Sequence, residues 1–234
     1  MRIVPAHLAA AAALLATSCV FVVSDHDDCG SDWALSAPSP EHTGSGTAAR
    51  EERTVAEFTR LEAGGAIHVD LRIGSPRSVA VLADDNLLGH VITEVGDGTL
   101  RLTMRPGSYE TRTPIRVEVV NPTLTTLVVG GAAHAAVAGL DGGSLKVSAT
   151  GAGRAELAGR VDLLTGAASG AAEVRAFGLD AARVDVDVQG AGEVEVLVRE
   201  ELEADVSGAG KVRYRGNPPR LRTESSGAGS VTGP

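Results

Sequence analysis

Three carboxylates stand at one offset in consecutive repeats. Asp187, Asp205 and Glu224 each lie three residues before the first glycine of a Gly-Ala-Gly motif, and Asp185 and Glu203 lie five before. Oxygen ligands brought together this way suit a shared Ca²⁺, and paired carboxylates are the groups that carry acid–base cleavage of glycosidic bonds. Asp187, Asp205 and Glu224 are therefore the metal candidates, and a polysaccharide-active enzyme would use the same side chains. A solvated acidic face is the plainer reading in a chain whose 30 acids against 21 bases leave a net charge of −9. No residue is assigned as catalytic. His7, His26, His42, His68, His90 and His134 are scattered without zinc spacing. His26-Asp27-Asp28-Cys29 offers ligand types, but four consecutive residues do not easily converge on one ion. There is no G-x-S-x-G nucleophile turn. Gly130-Gly131 and the Gly-Ala-Gly motifs lack the Lys-Ser/Thr ending of a phosphate loop, and the motifs run into strands where a dinucleotide fingerprint needs a helix. No cofactor is expected.

What would position these side chains is a repeat. Similar motifs begin at Gly151 (GAGRAEL), Gly170 (GAAEVRA), Gly190 (GAGEVEV), Gly208 (GAGKVRY) and Gly227 (GAGSVTG), spaced 18 to 20 residues apart. Six residues before each glycine stands an aliphatic residue: Leu145, Leu164, Val184, Leu202 and Leu221. Leu124 before Gly130 extends the pattern one turn earlier. The period is too short for helical repeats and lacks the asparagine ladder of leucine-rich repeats. One coil of a parallel β-helix has about this length, with coils stacked about 4.8 Å apart.

Stacking predicts columns. Four residues after each glycine come Ala155, Val174, Val194, Val212 and Val231, and six after come Leu157, Ala176, Val196 and Tyr214; these face inward. Positions three and five then face outward, giving Arg154, Glu173, Glu193, Lys211 and Glu156, Arg175, Glu195, Arg213. Opposite charges alternate except at Glu173–Glu193. Each exposed pair is worth about 0–1 kcal/mol, so the charges serve register and solubility more than stability. Just before the glycines, Thr150, Ser169, Gln189, Ser207 and Ser226 predict a side-chain hydrogen-bonded ladder at a corner where glycine permits positive φ.

Ahead of the repeats, alternation at period two marks half-buried strands over Ile67–Ile73, Val79/Val81/Ala83, Leu100/Leu102/Met104 and Ile115/Val117/Val119. Gly64-Gly65, Gly74-Ser75-Pro76, Asp97-Gly98 and Asn121-Pro122 punctuate them as turns, and Asp84 to Leu88 reads as a short helical or bent connection. The expected fold is all-β, a β-helix-like stack from about 124 to 234 behind an irregular β part. Apolar residues make up 43% but aromatics only 3%, so the core is Val, Leu and Ala, with little surface on which bases or sugars could stack. The negative charge opposes nucleic acid and anionic headgroups.

Met1-Arg2, the apolar run Leu8–Ala16 and small residues before Cys19 read as an export signal. Ala16-Thr17-Ser18-Cys19 resembles the lipobox of bacterial lipoproteins, which implies lipid on Cys19 and Cys19 as the mature N-terminus. Val20, where inner-membrane retention would need aspartate, implies release from that membrane in a Gram-negative host. Ordinary cleavage and an uncleaved anchor are the alternatives, the last being short of the roughly 20 residues a spanning helix needs. With Cys19 lipidated, Cys29 is unpaired; otherwise the two can close one small loop. Ser, Pro, Gly and Asp from Ser24 to Arg50 suit a tether. The plan is thus a signal over 1–19, a linker over 20–50 and a β domain over 51–234.

Phe58, Ile67, Val69 and Leu71, then Asp84-Asp85-Asn86-Leu87, Asp97-Gly98-Thr99-Leu100, the Ser/Thr-Gly-Ala-Gly motifs and Val212-Arg213-Tyr214-Arg215-Gly216-Asn217-Pro218 resemble the head GIN domain family of auto-transporter adhesin heads, found in bacterial envelope proteins. The resemblance covers about Arg50 to Pro234. It implies a single-stranded right-handed β-helix-like fold behind a signal peptide and brings no catalytic residues. The third motif, Ser169-Gly170-Ala171-Ala172, departs by placing alanine where its siblings have glycine. The expected role is a non-catalytic adhesion, recognition or scaffold protein of the envelope, as an outer-membrane lipoprotein, in the periplasm or at the cell surface. Its partner would be an envelope protein or a glycan, with membrane contact through the lipid alone and self-association through the end of the β-helix. The alternative is a polysaccharide-active or cation-binding β-helix enzyme.

Overall fold

The computed structural model describes residues 39–234; Cys19, Cys29 and the expected signal segment lie outside them. The N-terminal part carries β1 (His42–Thr43), β2 (Ala48–Arg53), β3 (Arg60–Ala63), β4 (His68–Ile73) and β5 (Ser78–Asp84). A 3-10 turn at Leu88–His90 leads to β6 (Val91–Gly96), β7 (Thr99–Met104) and β8 (Tyr109–Glu110). Then come β9 (Arg116–Asn121), β10 (Thr126–Val129), β11 (His134–Asp141) and β12 (Ser144–Gly151). The long strands β13 (Arg154–Gly170), β14 (Glu173–Gly190) and β15 (Glu193–Gly208) follow, and then β16 (Lys211–Arg215), β17 (Arg220–Gly227) and β18 (Ser230–Thr232).

These strands make a β-solenoid of about five turns. One face stacks β6, β7, β3, β10 and β12, then the second halves of β13, β14 and β15, then β17. The other stacks β2, β5, β9, β4 and β11, then the first halves of β13 to β15, then β16 and β18. Pairing is parallel except at β2–β5, β5–β9 and β6–β7, and β1 pairs apart, with β8. The irregular N-terminal part has a specific topology. The first coil, β3 with β4, is flanked on both faces by segments that come later: β3 lies between β7 and β10, β4 between β9 and β11.

The predicted columns are present as direct neighbours. Val174, Val194, Val212 and Val231 stand in register, continued backward through Ala155, Ala135, Val69 and Val117. The opposite face stacks Leu145, Leu164, Val184, Leu202 and Leu221. All but Val231 and Leu221, which sit on the last coil, are buried. Burying each Val or Leu is worth about 1.5–3 kcal/mol, so these columns hold the fold.

The corner works differently from the expected side-chain ladder. Gly151, Gly170, Gly190, Gly208 and Gly227 have φ of 71°, 80°, 95°, 100° and 96°. The alanine N–H after each of the last four donates to the glycine carbonyl one coil earlier at 2.8, 2.8, 2.7 and 2.8 Å, for Ala171, Ala191, Ala209 and Ala228. The ladder is main chain. Of the column Thr150, Ser169, Gln189, Ser207, Ser226, only Gln189 bonds through its side chain, to Asp187 at 3.1 Å. Gly170 keeps the shared conformation, so Ala172, buried where its siblings are glycine, leaves the third corner intact.

The fold also begins earlier than the expected linker boundary at residue 50, because β1 and β2 belong to it. Asp84, fully buried, accepts N–H bonds from Gly46 (3.0 Å), Arg112 (2.9 Å) and Thr113 (3.2 Å). Burial pushes its carboxyl up, but these donors outweigh it and hold the group below the usual carboxylate range. Asn86 donates to the Thr43 carbonyl and accepts from Ser45 N–H, both at 2.9 Å. These bonds draw residues 43–47 onto the domain.

Candidate functional site: a groove over stacked bulges

The outward side of the face containing β4, β11, β13 and β14 does not present an even pleat. Register slips between Val137 and Leu140 against β13, between Glu156 and Ala158 against β14, and between Ala176 and Asp180 against β15. The last slip leaves Phe177, Gly178 and Leu179 of β14 without opposing residues on β15. Bulges bend a strand and re-aim its side chains. Here they fall in adjacent coils, and the residues beside them are small: Ala136, Ala138, Ala158 and Gly178.

A groove of about 910 Å³ results, with those four residues as floor and Val120 and half-buried Phe177 as apolar wall. Space over Gly178 is tight, since a Cβ there would come within 3.2 Å of the Leu157 carbonyl. The Arg215 guanidinium sits 4.0 Å from the centre of the Phe177 ring, stacked by cation–π attraction. Both signs of charge flank the floor. Arg116 pairs with Asp70 at 2.7 Å, and Arg175 reaches Glu156 at 3.4 Å and also Glu173. The hydrogen bond to Glu173, and then that residue's charge, raise the Arg175 pKa against the effect of burial. Arg72, exposed beside Val120 and Ala138, makes no ion pair among the described residues. The groove can thus take apolar groups on its floor and charges of either sign along its edges.

Residues 57–218 match a family described as "putative auto-transporter adhesin, head GIN domain". The chain belongs to this family. Its head GIN fold recurs in solved structures that are each 18–20% identical to it. A crystal structure from Bacteroides fragilis, described as a putative adhesin, aligns with TM-score 0.70 and 20% identity over 82% of this chain and 99% of that one. A putative adhesin from Parabacteroides merdae aligns with TM-score 0.52 and 18% identity over 82% and 99%. A structure from Parabacteroides distasonis described as a putative lipid binding protein aligns with TM-score 0.50 and 19% identity over 83% and 100%. At this identity the likeness is one of fold. None of the curated proteins compared matches the chain.

Along the solenoid the acidic candidates do stack. Asp187, Asp205 and Glu224 are direct neighbours on three coils, as are Asp185 and Glu203 with Arg222. All three candidates are exposed and line a shallow recess of about 300 Å³ with Gln189, Ser207 and Ser226. Their environment is that of a solvated face. Arg222 reaches Glu224 at 2.9 Å and Glu203 at 3.2 Å, and Gln189 engages Asp187. No group of three His, Cys, Asp or Glu among the described residues is arranged to hold a metal ion. The like-charged Glu173–Glu193 step is relieved because each glutamate meets an arginine, Arg154 at 2.7 Å for Glu173 and Arg213 for Glu193. Cys19 lies outside the described residues.

Pairings that linear spacing hides also emerge. His68 and His134 stand in register with ring centres 5.5 Å apart. His42 stacks on Tyr109 at 5.0 Å and lies 4.3 Å from His90, joining β1, β8 and the 3-10 turn. The groove itself left one trace in the sequence: the step from Gly170 to Gly190 is longer than that from Gly190 to Gly208, and the surplus lies in the β14 bulge.

Proposed function

We propose that this chain is an exported, non-catalytic recognition module of the adhesin type, held at the cell envelope by lipid on Cys19 and by the segment that follows it. Its binding surface is the groove, and its partner is an extended segment of another envelope protein. The observation that carries this reading is the groove's make-up, a floor of Ala136, Ala138, Ala158 and Gly178 open to solvent between edges of both charge signs. An extended chain lays alternate side chains onto such a floor and matches the charges at its sides. A glycan is less well suited, because the one aromatic wall, Phe177, is already covered by Arg215. The family's description as an adhesin head and the adhesin descriptions of its structural relatives support the same role.

The test uses the immobilised full chain against separated envelope proteins and, in parallel, a glycan panel. Ala138→Trp fills the floor at an exposed position without touching the core. The expected result is protein binding that the variant weakens at least about tenfold with an unchanged melting temperature. Binding that Ala138→Trp leaves intact, or binding to glycans alone, would overturn the reading. For the anchor, mass spectrometry of the mature N-terminus should find diacylglyceryl on Cys19; an unmodified Cys19 would refute it. Turnover on a polysaccharide panel, lost in Asp205→Ala, would favour an enzyme.

A further inference from the structure

The last coil of the solenoid is built unlike those beneath it. Strand β17 bonds to β15 along one edge only, and β18 likewise to β16. Among the described residues no strand covers their other edges. Every residue of β17 is exposed, including Leu221, which belongs to the inward leucine–valine column yet is 50% exposed. The other inward positions have turned polar: Thr223 and Ser225 continue columns that hold Ala204 and Val206 one coil below. A free edge of eight residues is a template for another strand. Its side chains decide which strand fits.

We infer that this end pairs with the same end of a second copy, β17 running antiparallel to the partner's β17 about a two-fold axis at Thr223. The outward residues of β17 are Arg220, Arg222, Glu224 and Ser226, and antiparallel pairing sets outward residues against outward residues. A two-fold axis at residue 222 places Arg222 against its own copy, and one at 224 places Glu224 against its own copy. The axis at 223 avoids both. It sets Arg222 opposite Glu224 of the other chain, twice, and Arg220 opposite neutral Ser226, with no like charges facing. Inward, Leu221 meets Ser225 and Thr223 meets Thr223, which removes Leu221 from water. The companion edge, β18, points only Ser230 and Thr232 outward, so it adds no repulsion. The contact is isologous and closes as a dimer. It places two grooves on one particle, so a partner displayed in several copies is held with avidity.

The experiment uses the full chain in detergent with Cys19→Ser and Cys29→Ser, which removes lipid and background thiols, and reads the monomer–dimer equilibrium by sedimentation from about 1 to 200 μM. A concentration-dependent dimer is expected. Arg222→Glu and Glu224→Arg each place like charges opposite one another and should raise the dimer Kd at least about tenfold. The double swap restores opposite charges across the axis and should recover most of the loss. In the same background, Thr223→Cys should form a disulfide-linked dimer on mild oxidation, because only an axial residue faces its own copy. A chain monomeric throughout, single swaps without effect, a double swap no better than either single, or no cross-link at Thr223→Cys would each overturn the inference. Far-UV circular dichroism on every variant separates lost pairing from lost folding.

Discussion

The corner glycines make a sharp test of the stacking, because conformation and contact can be separated there. In Gly208→Ala a Cβ would stand 2.8 Å from the Gly190 carbonyl oxygen and 3.2 Å from the Gly190 Cα. That oxygen is the one that accepts the Ala209 N–H at 2.7 Å. Relieving the clash by lifting the coil therefore lengthens the bond that ties the coils together. Gly142 is the control, with a positive φ of 76° and nothing within 4 Å of a built Cβ. In Gly142→Ala only the conformational cost operates, partly offset by a stiffer unfolded chain, for a net loss of about 1 kcal/mol. Gly208→Ala carries that cost and an overpacking cost of about 1–3 kcal/mol, for a total of about 2–4 kcal/mol. In a domain of this size these losses lower Tm by about 2–4 °C for the control and by about 5–15 °C for the corner. Far-UV circular dichroism melts and urea titrations of both variants measure the difference. Equal losses at the two sites would mean that the coils are not in contact at the corner, and the account of the ladder would be wrong.

Other substitutions separate the inside of the coil from its outside. Leu202→Ala, at a fully buried site between Val184 and Leu221, should cost about 2–5 kcal/mol by urea titration. Arg154→Gln breaks the exposed 2.7 Å pair with Glu173 and should cost less than about 1 kcal/mol by the same titration. Asp84, whose folded pKa is depressed, contributes stability that is complete above the ordinary carboxylate range and is lost as pH falls through its lower folded value. Melting of Asp84→Ala should therefore lie about 5–10 °C below wild type at pH 7, and the gap should close below about pH 4. Asp205→Asn removes the middle of three stacked acids and should leave Tm unchanged or raise it by about 1–2 °C, with or without millimolar Ca²⁺. A calcium-dependent fall in that variant would mean that the acids share a cation.

What the sequence made legible follows from how a solenoid is specified. Each coil turns a corner at a glycine, and the following residues are counted from it, so Val174, Val194 and Val212 fall in line without any knowledge of the whole. The same count placed Asp187, Asp205 and Glu224 side by side. It fails where the coil is not of constant length. Phe177, Gly178 and Leu179 sit past the position counted at Ala176 and well before the next motif glycine, Gly190, and their bulge is a property of how β14 meets β13 and β15 together. The N-terminal part has no repeated marker at all. That the coil from β3 to β4 lies between later strands, or that His68 faces His134, depends on pairings 39 to 66 residues apart. Asp84 looked like a bend residue because Asp-Asp-Asn is turn chemistry. Its burial comes with three N–H donors at Gly46, Arg112 and Thr113, each 28 or more residues from it in the chain.

The division between inward and outward columns also explains how a groove can sit on so regular a scaffold. The stabilising columns are inward and apolar, and the outward positions beside them contribute little energy each, so a change outside barely moves the fold. Bulges are the exception that joins the two. The three unopposed residues Phe177, Gly178 and Leu179 shift the outward side chains of β14 relative to β15, while Ala176 and Val196 before the slip and Leu179 within it remain buried. The groove is therefore paid for in register, not in core. This makes the floor positions unequal. Ala138 is exposed and open to enlargement, whereas at Gly178 a Cβ would stand 3.2 Å from the Leu157 carbonyl oxygen, and that carbonyl would have to give way by a few tenths of an ångström. Substitutions at Ala138 and Arg72 should therefore leave Tm within about 2 °C of wild type, and Gly178→Ala should cost more than either.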